Sequence, residues 1–197
     1  MICLEWKESL IIQTRALSKI LELETLEEES KKLLDLVRRA NGFVYFSGIG
    51  KNGFVAAKVA STFNSLGIRS FFVDPVNTLH GDMNIFTKED LVIAISKSGE
   101  TEELINFIKA LKNVVEDIKI VCVTSNYNST LEKLSHLAIH LPLTHEGDHL
   151  NLAPIASSVV FMAFLQSIAV QISSEKGFDK KMFVRGHPGG ALGKIKV

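Results

Sequence analysis

The stretch Leu91-Val92-Ile93-Ala94-Ile95-Ser96-Lys97-Ser98-Gly99-Glu100-Thr101 decides how this chain is read. Its first five residues form an unbroken apolar run, the pattern of a parallel strand buried on both faces. Beyond Thr101, Leu104, Phe107, Ile108 and Leu111 recur at helical spacing. A strand therefore passes into a helix through a turn carrying three hydroxyls and a glycine. Such a turn offers unpaired backbone N–H groups and the positive end of a helix dipole, which suits a phosphate. The hydroxyls add neutral donors, and Gly99 lets the backbone approach a ligand closely. Ser and Thr are also ordinary helix caps, so on these residues alone both readings stand.

The same alternation extends outward from this turn. Apolar runs at Phe43–Phe46, Ser70–Val73, Leu91–Ile95, Ile118–Thr124 and Leu137–Leu141 are separated by helical patterns near Phe54–Leu66, Thr101–Leu111 and Thr130–Ser135. Val55, Val59, Thr62 and Leu66 mark one helix face. Strands alternating with helices imply an α/β fold, a parallel sheet covered on both faces, with ligands held beyond the carboxyl ends of the strands. The first 40 residues read as two helices broken near Thr25, where Thr25-Leu26-Glu27-Glu28 matches a capping box. The apolar stretch Leu152–Ile172 is long enough to span a bilayer. Ser157, Ser158, Gln166, Ser167 and Gln171 interrupt it and no basic flank orients it, so it is read as a core helix.

At 197 residues the chain suits one domain with a sizeable core, and its 46% hydrophobic content excludes disorder. Charge balances at 22 basic and 22 acidic residues, leaving no footprint for nucleic acid or an anionic membrane. Two cysteines, Cys3 and Cys122, build no disulfide framework, in keeping with a reducing cytoplasm.

Gly48-Ile49-Gly50-Lys51-Asn52-Gly53 fits the dinucleotide fingerprint G-x-G-x-x-G, with Asp74 at the end of the next strand where a ribose ligand would stand. Lys51 within the loop, the lack of a second domain and the second anion-binding turn at Ser96 count against a nicotinamide cofactor. No cofactor is expected. His145-Glu146-Gly147-Asp148-His149 has the composition of a metal cluster but not its spacing, and is read as a loop at the pocket entrance rather than a metal site.

Taken in order, Gly48-Ile49-Gly50-Lys51-Asn52-Gly53, His80-Gly81-Asp82, Ser96-Lys97-Ser98-Gly99-Glu100-Thr101 and His187-Pro188-Gly189-Gly190-Ala191-Leu192-Gly193 resemble the sugar isomerase (SIS) domain, and within it the D-arabinose 5-phosphate isomerases. The resemblance covers nearly the whole chain. It implies a three-layer α/β/α sandwich on a five-stranded parallel sheet, flavodoxin-like and doubly wound. It implies a single domain over 1–197, with residues 1–40 packing on the domain or a neighbouring subunit and residues 183–197 completing the active site. The chain stops at Val197, so it is read as a short form without the CBS modules that many relatives carry. The implied activity is interconversion of D-ribulose 5-phosphate and D-arabinose 5-phosphate by a cytoplasmic homotetramer with shared active sites. The product supplies 3-deoxy-D-manno-octulosonate for lipopolysaccharide or capsule. Glu146 matches a glutamate of the family. Asn52 stands where the family usually has serine.

An aldose–ketose isomerase must hold the phosphate, present the linear sugar and move a proton between C1 and C2. The phosphate falls to Ser96, Ser98 and Thr101, with Asn52, Gly50 and backbone N–H groups, and Lys97 adds charge or points to solvent. Glu103, in the first turn after the phosphate loop, is the expected base, although Glu100, Glu102 and Glu103 would equally complement a helix dipole. The resemblance makes His80 and His187 acid–base or substrate-hydroxyl groups, His187 reaching a neighbouring subunit. Lys51 holds substrate oxygens or the enediolate. Asp82 orients His80 or Lys51, or caps its own turn. A pocket that reads phosphate and hydroxyls also suits a sugar-acid nucleotide as a feedback ligand. The alternative is a non-catalytic SIS module that senses a phosphosugar or sugar nucleotide.

Overall fold

The computed structural model describes residues 5–191; Cys3 and the end of the His187–Gly193 motif, Leu192 and Gly193, lie outside it. Two helices, α1 (Trp6–Ile20) and α2 (Leu26–Arg39), precede β1 (Val44–Gly48). Then follow α3 (Lys51–Ser65), β2 (Ser70–Phe72), the short α4 (Pro75–Thr78), a 3-10 turn at Asp82–Ile85, β3 (Leu91–Ile95), α5 (Glu102–Val114) and β4 (Lys119–Thr124). The last elements are α6 (Thr130–Leu134), β5 (Leu137–His140), the long α7 (Ala156–Glu175) and α8 (Lys180–Arg185). The five strands are parallel in the order β2-β1-β3-β4-β5, the doubly wound order of flavodoxin-like sheets.

Side chains along a strand point alternately to opposite faces, and the central strands divide their apolar residues accordingly. Phe46, Ile93, Ile95, Val121 and Val123 face a core built with α2, α3 and α7. Tyr45, Val92, Ala94, Ile120 and Cys122 face a second core built with α5 and α6. Both faces are thus covered, and β1 and β3 are buried along their whole length. The α5 stripe read from sequence, Leu104, Phe107, Ile108 and Leu111, is fully buried.

Three local expectations need correction. Thr25 takes an αR conformation and its side chain makes no cap, so the capping box does not form. The run at Ser70–Val73 is not a doubly buried strand: β2 is a short edge strand whose Phe71 and Phe72 are exposed. The apolar stretch does not become helical until Ala156, because Leu150, Leu152 and Ala153 donate their N–H groups to the Asp148 carboxylate in a loop. By length and composition α7 could cross a membrane. Instead it packs on α1, α2 and α3, with Phe161, Leu165 and Ile172 buried.

Candidate active site

The register sets the site. Gly48, Ile95 and Val123 are partners across β1, β3 and β4, so the segments that follow these strands emerge side by side at the carboxyl edge. There Asn52, Ser96, Lys97, Ser98 and Thr101 line one cleft of about 580 Å³. The opposite wall comes from Ser125, Asn126 and Leu143, which the sequence reading did not single out. The available signal was position: Ser125-Asn126 follows β4 as directly as Ser96 follows β3.

The Ser96–Thr101 turn is braced from within. Gly99 adopts φ +67°, and its N–H donates to the Ser96 carbonyl and hydroxyl at 3.1 Å each. Ser96 Oγ is 2.9 Å from Thr101 Oγ1, and Ser98 Oγ accepts the Glu100 N–H at 3.1 Å. The wall opposite is bonded to the same turn. Asn126 Nδ2 donates to the Ser98 carbonyl, and Ser125 N and Thr124 Oγ1 donate to the Lys97 carbonyl. Gly99 comes so close to the α6 cap that a Cβ there would lie 2.2 Å from Ser129 Oγ.

The helices differ in what meets their first N–H groups. Asp74, Ser129 and Asp179 cap α4, α6 and α8. The buried Glu146 caps α7, accepting from Ile155 and Ser157 at 2.9 and 3.0 Å. By contrast α3 starts at Gly50 and α5 at Thr101 with no side-chain cap. Thr101 turns its hydroxyl to Ser96 instead, which removes the ordinary-cap reading of this residue. Two helix starts therefore direct free N–H groups and positive dipole ends toward the cleft. Asn52 Oδ1 is buried there without a hydrogen-bond partner. Asp74, the residue a ribose would need in a dinucleotide fold, is committed to the Val76 and Asn77 N–H groups.

Lys97 does not point to solvent. Its Nζ lies 2.5 Å from Glu146 Oε1, although 40% of the lysine side chain is exposed. Glu146 is fully buried rather than placed at the pocket entrance. Burial raises its carboxyl, but Lys97 and the Ser157 hydrogen bonds outweigh that and hold it below the usual carboxylate range. Two more side chains of this loop are engaged: His145 Nδ1 accepts the Gly147 N–H, and Asp148 accepts three backbone N–H groups. Among the described residues no group of three metal-ligating side chains comes together.

The remaining candidates are dispersed. Lys51 is exposed at the first position of α3, behind Gly50 at φ +59°. Glu103 is exposed in the first turn of α5. His80 is exposed after α4, and its segment packs against α5. Asp82 borders a separate hollow with Tyr45, Asp74 and Asn77. Residues 183–185 of the terminal segment belong to α8, and His187 stacks on Phe183 at 4.1 Å with Nδ1 2.7 Å from the Phe183 carbonyl. Within one chain, Glu103, Lys51, His80, Asp82 and His187 do not line the cleft.

Comparison with known proteins gives the same fold. The SIS domain family model matches residues 37–171. The arabinose 5-phosphate isomerase KpsF of Escherichia coli O6:H1 (strain CFT073) is 38% identical over 164 residues, which are 83% of this chain and 50% of that protein. The chain spans about half the length of the curated relatives it matches. Among solved structures, E. coli CFT073 c3406 in complex with arabinose 5-phosphate superposes with a TM-score of 0.87 at 32% identity, covering 92% of this chain and 95% of that one. The sugar isomerase domain of the RpiR transcription factor from Sphaerobacter thermophilus shares the fold alone, with a TM-score of 0.74 at 17% identity over 91% and 94% of the two chains.

Proposed function

This chain belongs to the SIS domain family, and from that premise we propose that it is an aldose–ketose isomerase interconverting D-ribulose 5-phosphate and D-arabinose 5-phosphate. The observation that carries the reading is the meeting of two uncapped helix starts at one hydroxyl-lined cleft, a preformed phosphate site. The relatives named for arabinose 5-phosphate isomerase and the solved complex with that sugar phosphate support the choice of sugar.

In this reading Ser96, Ser98, Thr101, Asn52 and the N–H groups after Gly50 and Thr101 hold the phosphate, and Lys97 adds positive charge. Glu103 takes the proton from the carbon beside the carbonyl, giving an enediol, and returns it to the neighbouring carbon, so no net proton is gained or lost. Lys51 stabilises the enediolate oxygen. His80 and His187 open the ring and shuttle hydroxyl protons. His187 is supplied by a neighbouring subunit of a tetramer, and Asp82 orients His80. The enzyme works in the cytoplasm and feeds 3-deoxy-D-manno-octulosonate synthesis for lipopolysaccharide or capsule, with a sugar-acid nucleotide as a feedback ligand.

One observation favours a second reading. The cleft of a single chain is lined by the proposed phosphate ligands but not by Glu103, His80 or His187, and a non-catalytic phosphosugar sensor would need none of those three. Purified protein given D-ribulose 5-phosphate decides between them. Aldose formation, with turnover reduced about 10²- to 10⁴-fold in Glu103→Gln while binding of D-arabinose 5-phosphate persists, is the expected result. Thermal stabilisation by D-arabinose 5-phosphate without turnover would leave the sensor.

A further inference from the structure

The cleft wall at Ser125-Asn126 is tied to a buried polar cluster on its far side. His140, at the end of the edge strand β5, is 7% exposed. Its Nδ1 lies 3.1 Å from Glu29 Oε1, and its backbone N–H donates to Glu29 Oε2 at 2.9 Å. Glu29 belongs to α2, so the N-terminal helices reach the carboxyl edge of the sheet through this carboxylate. His140 Nε2 lies 3.3 Å from Glu132 Oε2 of α6 without a hydrogen bond between them, and that oxygen accepts the Asn128 N–H at 2.6 Å. Tyr127 stacks on the imidazole, with ring centroids 4.3 Å apart and planes 15° apart. Tyr127 and Asn128 immediately follow the two cleft residues.

Burying an imidazole between two partly exposed carboxylates, with its Nε2 left unpartnered, is costly. An apolar residue would fill an edge-strand position more cheaply. What the polar cluster supplies is geometry: the ring sets where Tyr127 and Asn128 stand, and hence where Asn126 meets the Ser98 carbonyl. We infer that His140 is a positioning residue for the sugar-phosphate cleft, acting through Tyr127 and the Glu132–Asn128 contact on the Ser125-Asn126 wall. The inference rests on the cleft being the sugar-phosphate site, and it concerns binding rather than proton transfer.

The test uses the full chain with His140→Ala, Tyr127→Ala and Tyr127→Phe. Tyr127 is 50% exposed, so its variants leave the Glu29–His140 contact intact should His140→Ala fail to fold. KM for D-ribulose 5-phosphate and the calorimetric Kd for inorganic phosphate should rise about tenfold in both alanine variants, with kcat within about twofold, the signature of lost uniform binding. Tyr127→Phe, which keeps the stack, should restore both. A fall in melting temperature with KM and phosphate Kd unchanged would overturn the inference, as would failure of the wild type to bind phosphate. If the wild type binds phosphate but makes no aldose, the reaction assigned above fails, and the phosphate Kd of the variants still decides this one.

Discussion

Replacing Gly99 by alanine should damage the phosphate turn more than any neighbouring glycine change, and the structure indicates by how much. At φ +67° an alanine incurs the left-handed penalty of about 1–2 kcal/mol. Its Cβ would also lie 2.2 Å from Ser129 Oγ and 2.4 Å from Ser129 Cβ. Ser129 must move, and its hydroxyl caps α6 through the Glu132 N–H, a bond worth about 1 kcal/mol. The Leu131 N–H bond to the Gly99 carbonyl is strained at the same time, at a cost of about 1 kcal/mol. The total is about 3–4 kcal/mol, or about 10 °C in melting temperature for a chain of this size. Gly50→Ala separates strain from clash: φ +59° with ψ −126° lies outside the left-handed helical well, and no atom lies within 4 Å of the added carbon, so backbone strain of about 1–3 kcal/mol applies without a steric term. Urea titration of both variants measures the difference. A second background sharpens it. Ser129→Gly retains an acceptable cap at a loss of a few tenths of a kcal/mol and removes the obstructing atoms, so Gly99→Ala there should cost roughly the strain alone. If the cost of Gly99→Ala is unchanged in the Ser129→Gly background, the close-approach argument is wrong.

Glu146→Ala leaves the Ile155 and Ser157 N–H groups without their acceptor and should destabilise by about 3 kcal/mol; thermal unfolding unchanged by the substitution would refute the capping role. Arg38, bonded to Glu175 between α2 and α7, holds that carboxyl at about 2 in the fold against an ordinary 4.5. A lowered carboxyl contributes stability that is present above pH 4.5 and disappears as pH falls toward 2, so Arg38→Met should lose stability mainly at neutral pH and show a flatter acid limb between pH 4.5 and 2; an equal loss at both ends of that window in thermal unfolding would contradict it. Burial pushes the Cys122 thiol up to about 12, so in a Cys3→Ser chain at about pH 8 it should react with a thiol reagent only after denaturant is added; rapid labelling of the folded protein would contradict this.

The candidate site divides along a physical line. Ser96, Ser98, Thr101 and Asn52 were legible because each sits within a few residues of a strand end, and strand-to-helix turns are local objects. Ser125 and Asn126 carried the same positional signal, without a glycine or a run of hydroxyls to draw the eye. Lys97 and Glu146 are far apart along the chain, and no periodicity links them; their pairing exists because α7 starts beside the β3 turn. The Glu29–His140 contact spans a still longer separation, 111 positions. The Thr25 capping box did not form because Thr25 itself takes helical backbone, whereas a capping residue needs an extended one.

By itself the sequence determined the parallel α/β class, the five strand runs, the apolar face of α5 and the hydroxyl turn, since strand and helix periodicity and turn chemistry act over a few residues. Only the tertiary structure decided which helix starts stay uncapped, where the Lys97 ammonium goes and which residues form the far wall of the cleft. Those outcomes follow from strand order and register, which bring distant segments to one edge of the sheet, and from the need of each buried polar group to find a partner wherever the fold has put one.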